Sequence, residues 1–287
     1  MSGKVIAVKQ CLAGGVAVSS VSTTQSAGAS LKAVALPPEH GAWGFLLEPI
    51  VAALAIAPSP AGVLLSLGGL GGFLLRQPLK IVYQDRRRGR RYARTALAER
   101  VALLYAALAV TGFLGGLALS GLRALLPLPL IAPLAALLLV SYSQNRGREL
   151  IPELAGASAL AGTATAVALA GDAAFGQALA LWAVMLGRAV PSILYVRARL
   201  RLDKGMPFAW QPVVGSQTLA IVGMTALTIA DLAPRLAVIA LAILAVRAAW
   251  GLSPYRPQVR VALLGVQEVA FGALTVLLTV LGYTQGW

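Results

Sequence analysis

Two stretches of this chain set an arginine, a polar residue and a tyrosine at the spacing of one helical face. Arg76, Lys80 and Tyr83 stand at positions i, i+4 and i+7, and so do Arg188, Ser192 and Tyr195. Each trio lies in apolar sequence just ahead of a basic run, Arg86 to Arg91 in the first case and Arg197 to Arg201 in the second. Arg188 precedes Arg197 by nine residues, about 14 Å along a helix, and half of a hydrocarbon core is about 15 Å. Arg76 stands at a similar depth relative to Arg86. An arginine near mid-membrane costs about 2.5–3.5 kcal/mol to insert and faces a bundle interior or a wet cavity. A guanidinium grips phosphate through two parallel hydrogen bonds, without a metal. The chemistry suited to these residues is therefore capture of an anion from within the membrane. A structural ion pair, or snorkelling to the interface, would account for a single such arginine.

The repeat behind this pattern is Arg76-x4-Ile81-Val82-Tyr83 against Arg188-x4-Ile193-Leu194-Tyr195. Two acidic residues stand two turns into apolar segments, Glu48 near the first and Glu268 beside Gln267 near the last. Either could neutralise Arg76 or Arg188, or touch a ligand directly. His40, next to Glu39 in Pro37-Pro38-Glu39-His40-Gly41-Ala42-Trp43-Gly44, could transfer a proton or serve as a hydrogen-bonded residue at the interface. Around the two faces, Gln84, Asp85, Arg94, Arg197 and Arg201 are supporting candidates.

Composition bounds the elements that must hold these residues. Of 287 residues, 58% are hydrophobic and 12% charged, about half the charged share of a soluble domain. With apolar runs of about 20 residues, this predicts an all-α, polytopic transmembrane bundle. About nine spans are expected, at 40–57, 60–80, 98–119, 122–141, 150–170, 175–196, 211–230, 234–250 and 262–284. Pro49, Pro78, Pro133 and Pro191 fall inside spans, which membrane helices tolerate. Residues 1–36 read as a disordered cytoplasmic tail, and 37–287 as one transmembrane domain. Gly68-Gly69-Leu70-Gly71-Gly72 lies inside an apolar span, where it predicts close helix packing rather than a phosphate loop.

Every second loop is basic, which places the amino terminus and those loops in the cytoplasm of a plasma-membrane protein, with the carboxyl terminus outside. The net charge of +14 follows from those loops, so nucleic acid is not an expected partner. One cysteine and one histidine leave no disulfide framework, no Cys/His metal site and no cofactor to expect.

Glu39-His-Gly-Ala-Trp-Gly44, Arg76-Gln-Pro-Leu-Lys80, Gln84-Asp-Arg-Arg-Arg-Gly-Arg-Arg91 and Val196-Arg-Ala-Arg-Leu-Arg201 resemble the YwiC-like family of bacterial integral membrane proteins, over most of the chain from about 37 onward. More distantly, polar motifs at the cytoplasmic ends of the second and sixth of nine spans are similar to the UbiA prenyltransferase superfamily. That resemblance implies a UbiA-like helical arrangement and an isoprenoid diphosphate, held in those enzymes by magnesium on aspartate-rich motifs. Arg94-Thr95 is similar to an Arg-Thr that follows the first such motif. Here Asp85 and Asp203 are the only carboxylates of the two stretches, and arginines and lysines stand instead. The expectation is a basic, cytoplasm-facing cavity between the two faces for a lipid or isoprenoid phosphate. The protein would then be a divergent transferase without the metal motifs. A non-catalytic membrane partner, or an anion or lipid transporter, are the alternatives.

Overall fold

The computed structural model describes residues 31–37, 40–144, 146–147 and 149–286. The first 30 residues, Pro38 and Glu39 lie outside them, and so does most of the expected disordered tail over 1–36. Near its end Leu31–Ala35 forms a short helix, α1, whose Val34 is buried against Val82, Ala98 and Val101.

Ten longer helices follow. They are α2 (His40–Ile56), α3 (Pro60–Arg87), α4 (Ala93–Ser120), α5 (Leu128–Ser143), α6 (Leu150–Ala161), α7 (Thr163–Ala170), α8 (Phe175–Asp203), α9 (Gln211–Ile229), α10 (Arg235–Leu252) and α11 (Val261–Gln285). No strand occurs among the described residues. Among the described residues, six helical segments are long and apolar enough to cross a membrane: Ala93–Leu125, Leu150–Ala170, α8, α9, α10 and α11. Trp43–Ile56 and Leu128–Tyr142 are apolar but shorter. α3 has the length, and it carries Arg76, Lys80 and Asp85 toward its end. The chain is a multi-pass, all-α membrane protein over its described residues.

Several boundaries differ from the expected spans. α3 and α8 run on past 80 and 196 because Gln, Arg, Lys and Leu keep helical propensity through both basic runs. Each stops beside a glycine in the left-handed region, Gly89 with φ 63° and Gly205 with φ 67°. α5 starts at 128 rather than 122. Gly121, with φ 67°, breaks the preceding helix, and a 3₁₀ turn over Gly121–Leu125 leads into Pro127 and Pro129. The four interior prolines, Pro49, Pro78, Pro133 and Pro191, do lie inside helices.

α3 and α4 form the closest pair, and the glycine run explains it. A Cβ on Gly71 would stand 2.7 Å from the backbone nitrogen of Ala109, and one on Gly68 would stand 2.9 Å from that of Phe113. Only glycine permits that approach of two backbones. α8 is the most buried of the spanning helices and packs against α2, α6, α7, α9, α10 and α11.

The basic loops gather at one end of the bundle. Arg197 at the end of α8 pairs with Glu153 at the start of α6, and Arg199 donates to the carbonyls of Gly251 in the last turn of α10 and of Pro257 in the α10–α11 connection. Lys80 of α3 meets Tyr142 at the end of α5 at the same end. The opposite end holds Arg123 with Asp172, and Tyr283 donating to the carbonyl of Leu232.

Candidate functional site

Arg76, Lys80 and Tyr83 come together on α3, as their spacing requires. They line a groove of about 600 Å³ between α3 and the end of α5. Gln84, Arg87 and Arg88 continue the polar lining, while Gly72, Leu75, Leu79 and Leu139 supply an apolar stretch. The Arg76 guanidinium lies 4.7 Å from the Phe73 ring centroid and 5.8 Å from that of Tyr142, and the Lys80 ammonium is 5.9 Å from the Tyr142 ring. Aromatic faces attract cations electrostatically, so Tyr142 positions both. Four cationic residues line this groove and, among the described residues, no carboxylate does. Tyr142, Arg87 and Arg88 had no place in the expected site. The two arginines belong to the basic run, and only the continuation of α3 to Arg87 carries them onto the groove.

The second face is different. Arg188 is 2% exposed. Its Nη2 donates to Glu48 Oε1 at 3.2 Å and to the backbone carbonyl of Glu268 at 2.7 Å, while its Nη1 stands 3.5 Å from Glu268 Oε2. Glu268 also pairs with Arg247, whose Nη2 donates to Ser192 Oγ at 3.3 Å. The Arg247 guanidinium lies 4.4 Å from the Tyr195 ring centroid and 5.0 Å from that of Phe271. Two arginines and two glutamates from α2, α8, α10 and α11 thus form one buried, charge-balanced cluster. Gly272 makes room for it, since a Cβ there would overlap the Glu48 carboxylate. Glu48 and Glu268 both serve Arg188, and neither is paired with Arg76.

The space between the two faces, where the sequence led us to expect one cavity, is occupied by α2. Trp43 of α2 packs edge-on against Phe73 of α3, with ring centroids 5.3 Å apart, and Leu46 and Ile50 join Phe73 and Leu74 in one apolar cluster. On its other side α2 directs Glu48 to Arg188 and sets Phe45 5.9 Å from the same guanidinium. α2 is apolar around most of its circumference, so it is buried on both sides and separates the trios.

Among the supporting candidates, Gln84 lines the α3–α5 groove. Asp85 and Arg94 form a separate unit. Arg94 donates to Asp85 through Nε at 3.1 Å and Nη2 at 2.6 Å, and the Thr95 hydroxyl donates at 2.8 Å. These hydrogen bonds, Arg94's first, hold the Asp85 carboxyl below the usual aspartate range. Asp85 thereby fixes the turn from α3 to α4. Arg197 is committed to Glu153, and Arg201 is exposed. His40 opens α2; its side chain lies outside what is described. Two further residues escaped the sequence reasoning. Arg199, 2% exposed, binds Asp203 at 2.8 Å and ties the α10–α11 connection to α8. Arg247 falls three residues inside the expected eighth span, and that depth was the available signal.

Asp85 is taken up by Arg94, and Asp203 by Arg199 and Arg256. Among the described residues no three His, Cys, Asp or Glu side chains converge as a metal site would require.

Residues 36–168 match the model of the YwiC-like protein family. The match ends after α2–α5 and most of α6–α7, short of the coverage expected from the motifs. No curated protein and no solved structure matches the chain.

Proposed function

We propose that this membrane protein crosses the bilayer nine times with its basic loops in the cytoplasm. On that topology it binds the phosphorylated head of a lipid or isoprenoid in the α3–α5 groove. The observation that carries the proposal is the lining: Arg76, Lys80 and Arg87 along α3 with Arg88 at its C-cap, leucines beside them, and no lining carboxylate among the described residues. A phosphate head entering from the cytoplasmic leaflet meets cations spread over the last three turns of α3. Its chain lies along Leu75, Leu79 and Leu139, two of which face outward, at 48% exposure for Leu79 and 61% for Leu139. Each cation near an anionic surface contributes about 1 kcal/mol, so three of them supply roughly a hundredfold in affinity.

Binding, rather than prenyl transfer, is the function this lining favours. In the UbiA-type arrangement carboxylates hold magnesium against a diphosphate, whereas Asp85 and Asp203 are each held by guanidinium groups. Simple adhesion of basic loops to anionic lipid is disfavoured by the division of labour in the arginine run. Arg86 and Arg91 pair with Glu99, while Arg87 and Arg88 turn to the groove.

Native mass spectrometry of the full chain with added dodecyl phosphate, and dodecanol as the uncharged control, tests the proposal. Retention of dodecyl phosphate alone, reduced at least tenfold in a Lys80→Ala, Arg87→Ala, Arg88→Ala variant, is expected. Equal retention of dodecanol, or an unchanged triple variant, would overturn it.

A further inference from the structure

The internal repeat extends one cation further than its first three residues. Arg87 stands four residues beyond Tyr83, and Arg199 four beyond Tyr195. The helices repeat as well. Displacing α2 to α5 by the separation of Arg76 from Arg188 lands them on α6–α7, α8, α9 and α10. α3 and α8 have 28 and 29 residues, and each packs against the helix that follows it. In the first copy Tyr83 and Arg87 line the α3–α5 groove. In the second, Tyr195 and Arg199 line a cavity of about 390 Å³ between α8 and α10, closed by α11, together with Arg247, Trp250, Gln267 and Phe271. The cation–aromatic contact has its counterpart too, with the partners exchanged. Arg76 of α3 faces Tyr142 of α5 at 5.8 Å, and Arg247 of α10 covers Tyr195 of α8 at 4.4 Å.

We propose that the α8–α10 cavity is a second ligand site, the repeat counterpart of the α3–α5 groove, and that it takes a monoanionic carboxylate amphiphile of the fatty-acid class. Charge distinguishes the two. Two guanidiniums line the second cavity, Arg199 and Arg247, against four cations in the first groove. They belong to ion-pair networks in which Arg188, Arg199, Arg247 and Arg256 share Glu48, Glu268 and Asp203. One positive charge remains, which matches a singly charged head and not a phosphate carrying two. The volume, smaller than the first groove's, suits a carboxylate better than a glycerol phosphodiester, and the planar carboxylate fits a guanidinium edge. Val246 and Trp250, 70% and 61% exposed on the outer face of α10, border the cavity where an alkyl chain leaves it sideways toward lipid. The inference stands on the repeat and this cavity, and not on what fills the first groove.

Equilibrium binding of radiolabelled decanoate to the full chain in phosphatidylcholine nanodiscs tests it. Wild type binds saturably, one decanoate per chain, and decanol does not compete. Val246→Trp narrows the cavity from the lipid side and leaves every ion pair in place; it weakens decanoate at least tenfold and retains dodecyl phosphate. Arg247→Gln weakens decanoate to a similar extent, and Lys80→Ala leaves it unchanged. The proposal is overturned by absence of saturable decanoate binding to folded wild type, by equal binding of decanol, by unaltered binding in Val246→Trp, or by loss of binding in Lys80→Ala.

Discussion

Arg188 reaches Glu268 twice, donating from Nη2 to its main-chain carbonyl at 2.7 Å and facing its carboxylate through Nη1 at 3.5 Å. α8 is thereby attached to the backbone of α11 as well as to one of its side chains. Glu48 of α2 completes the junction.

Removing the arginine from this junction should cost more than removing either acid. Arg188→Leu leaves Glu48 without its cation and Glu268 with only Arg247, and breaking a buried pair in this way costs about 3–5 kcal/mol. Glu268→Gln should rank next, because two arginines depend on it, and Glu48→Gln should cost least. Thermal unfolding of the three variants in one detergent gives the order, and a less stable Glu48→Gln than Arg188→Leu would contradict it.

Gly272 is predicted to be intolerant of even a methyl group. Gly272→Ala pushes the Glu48 carboxylate away from Arg188, and overpacking of this kind costs about 1–3 kcal/mol. Adding Glu48→Ala to Gly272→Ala should then destabilise less than Glu48→Ala does in the wild-type background. Additive effects of the two substitutions in a double-mutant cycle would show that they do not meet.

The α3–α4 pair makes a separate prediction. Gly71→Val places side-chain atoms against the backbone of Ala109, where a Cβ alone would come within 2.7 Å. The helices must separate, and cysteines introduced at facing positions of α3 and α4 should crosslink more slowly. Gly69→Val and Gly72→Val, where a Cβ meets nothing within 4 Å, should leave the crosslinking rate near that of wild type.

The turn at the end of α3 should respond to acid and not to base. The Asp85 carboxyl, beyond the expected span 60–80, is held below its ordinary range by Arg94 and Thr95. Its contribution is complete above the unfolded aspartate value of about 3.9 and is lost as pH falls through the lower folded value. Hydrogen exchange at the start of α4 should therefore be flat from neutral pH to about 5 and rise only in stronger acid. Asp85→Asn should show the raised exchange already at pH 7, together with faster tryptic cleavage in the arginine run.

The amino-acid sequence alone was enough for the class, the approximate course of the longer helices and the helical face that each trio shares. Apolar runs of membrane length are a local property, and so are the helical spacings of Arg76, Lys80 and Tyr83 and of Arg188, Ser192 and Tyr195. The glycine run was legible as packing for the same reason, since close approach needs small residues at successive turns. Tertiary structure decided which partner each charge meets. Glu48 and Arg188 are 140 residues apart, and no spacing rule connects them. Nor does the pattern of α2 show that it stands between the trios, because its one carboxylate, Glu48, could have faced Arg76 as well as Arg188. Between the trios, where one cavity was expected, α2 packs against Phe73 and Leu74 on one side and sends Glu48 to Arg188 on the other. Burial also singled out Arg247 from the other basic residues at helix ends, by setting it opposite a glutamate 21 residues further along the chain.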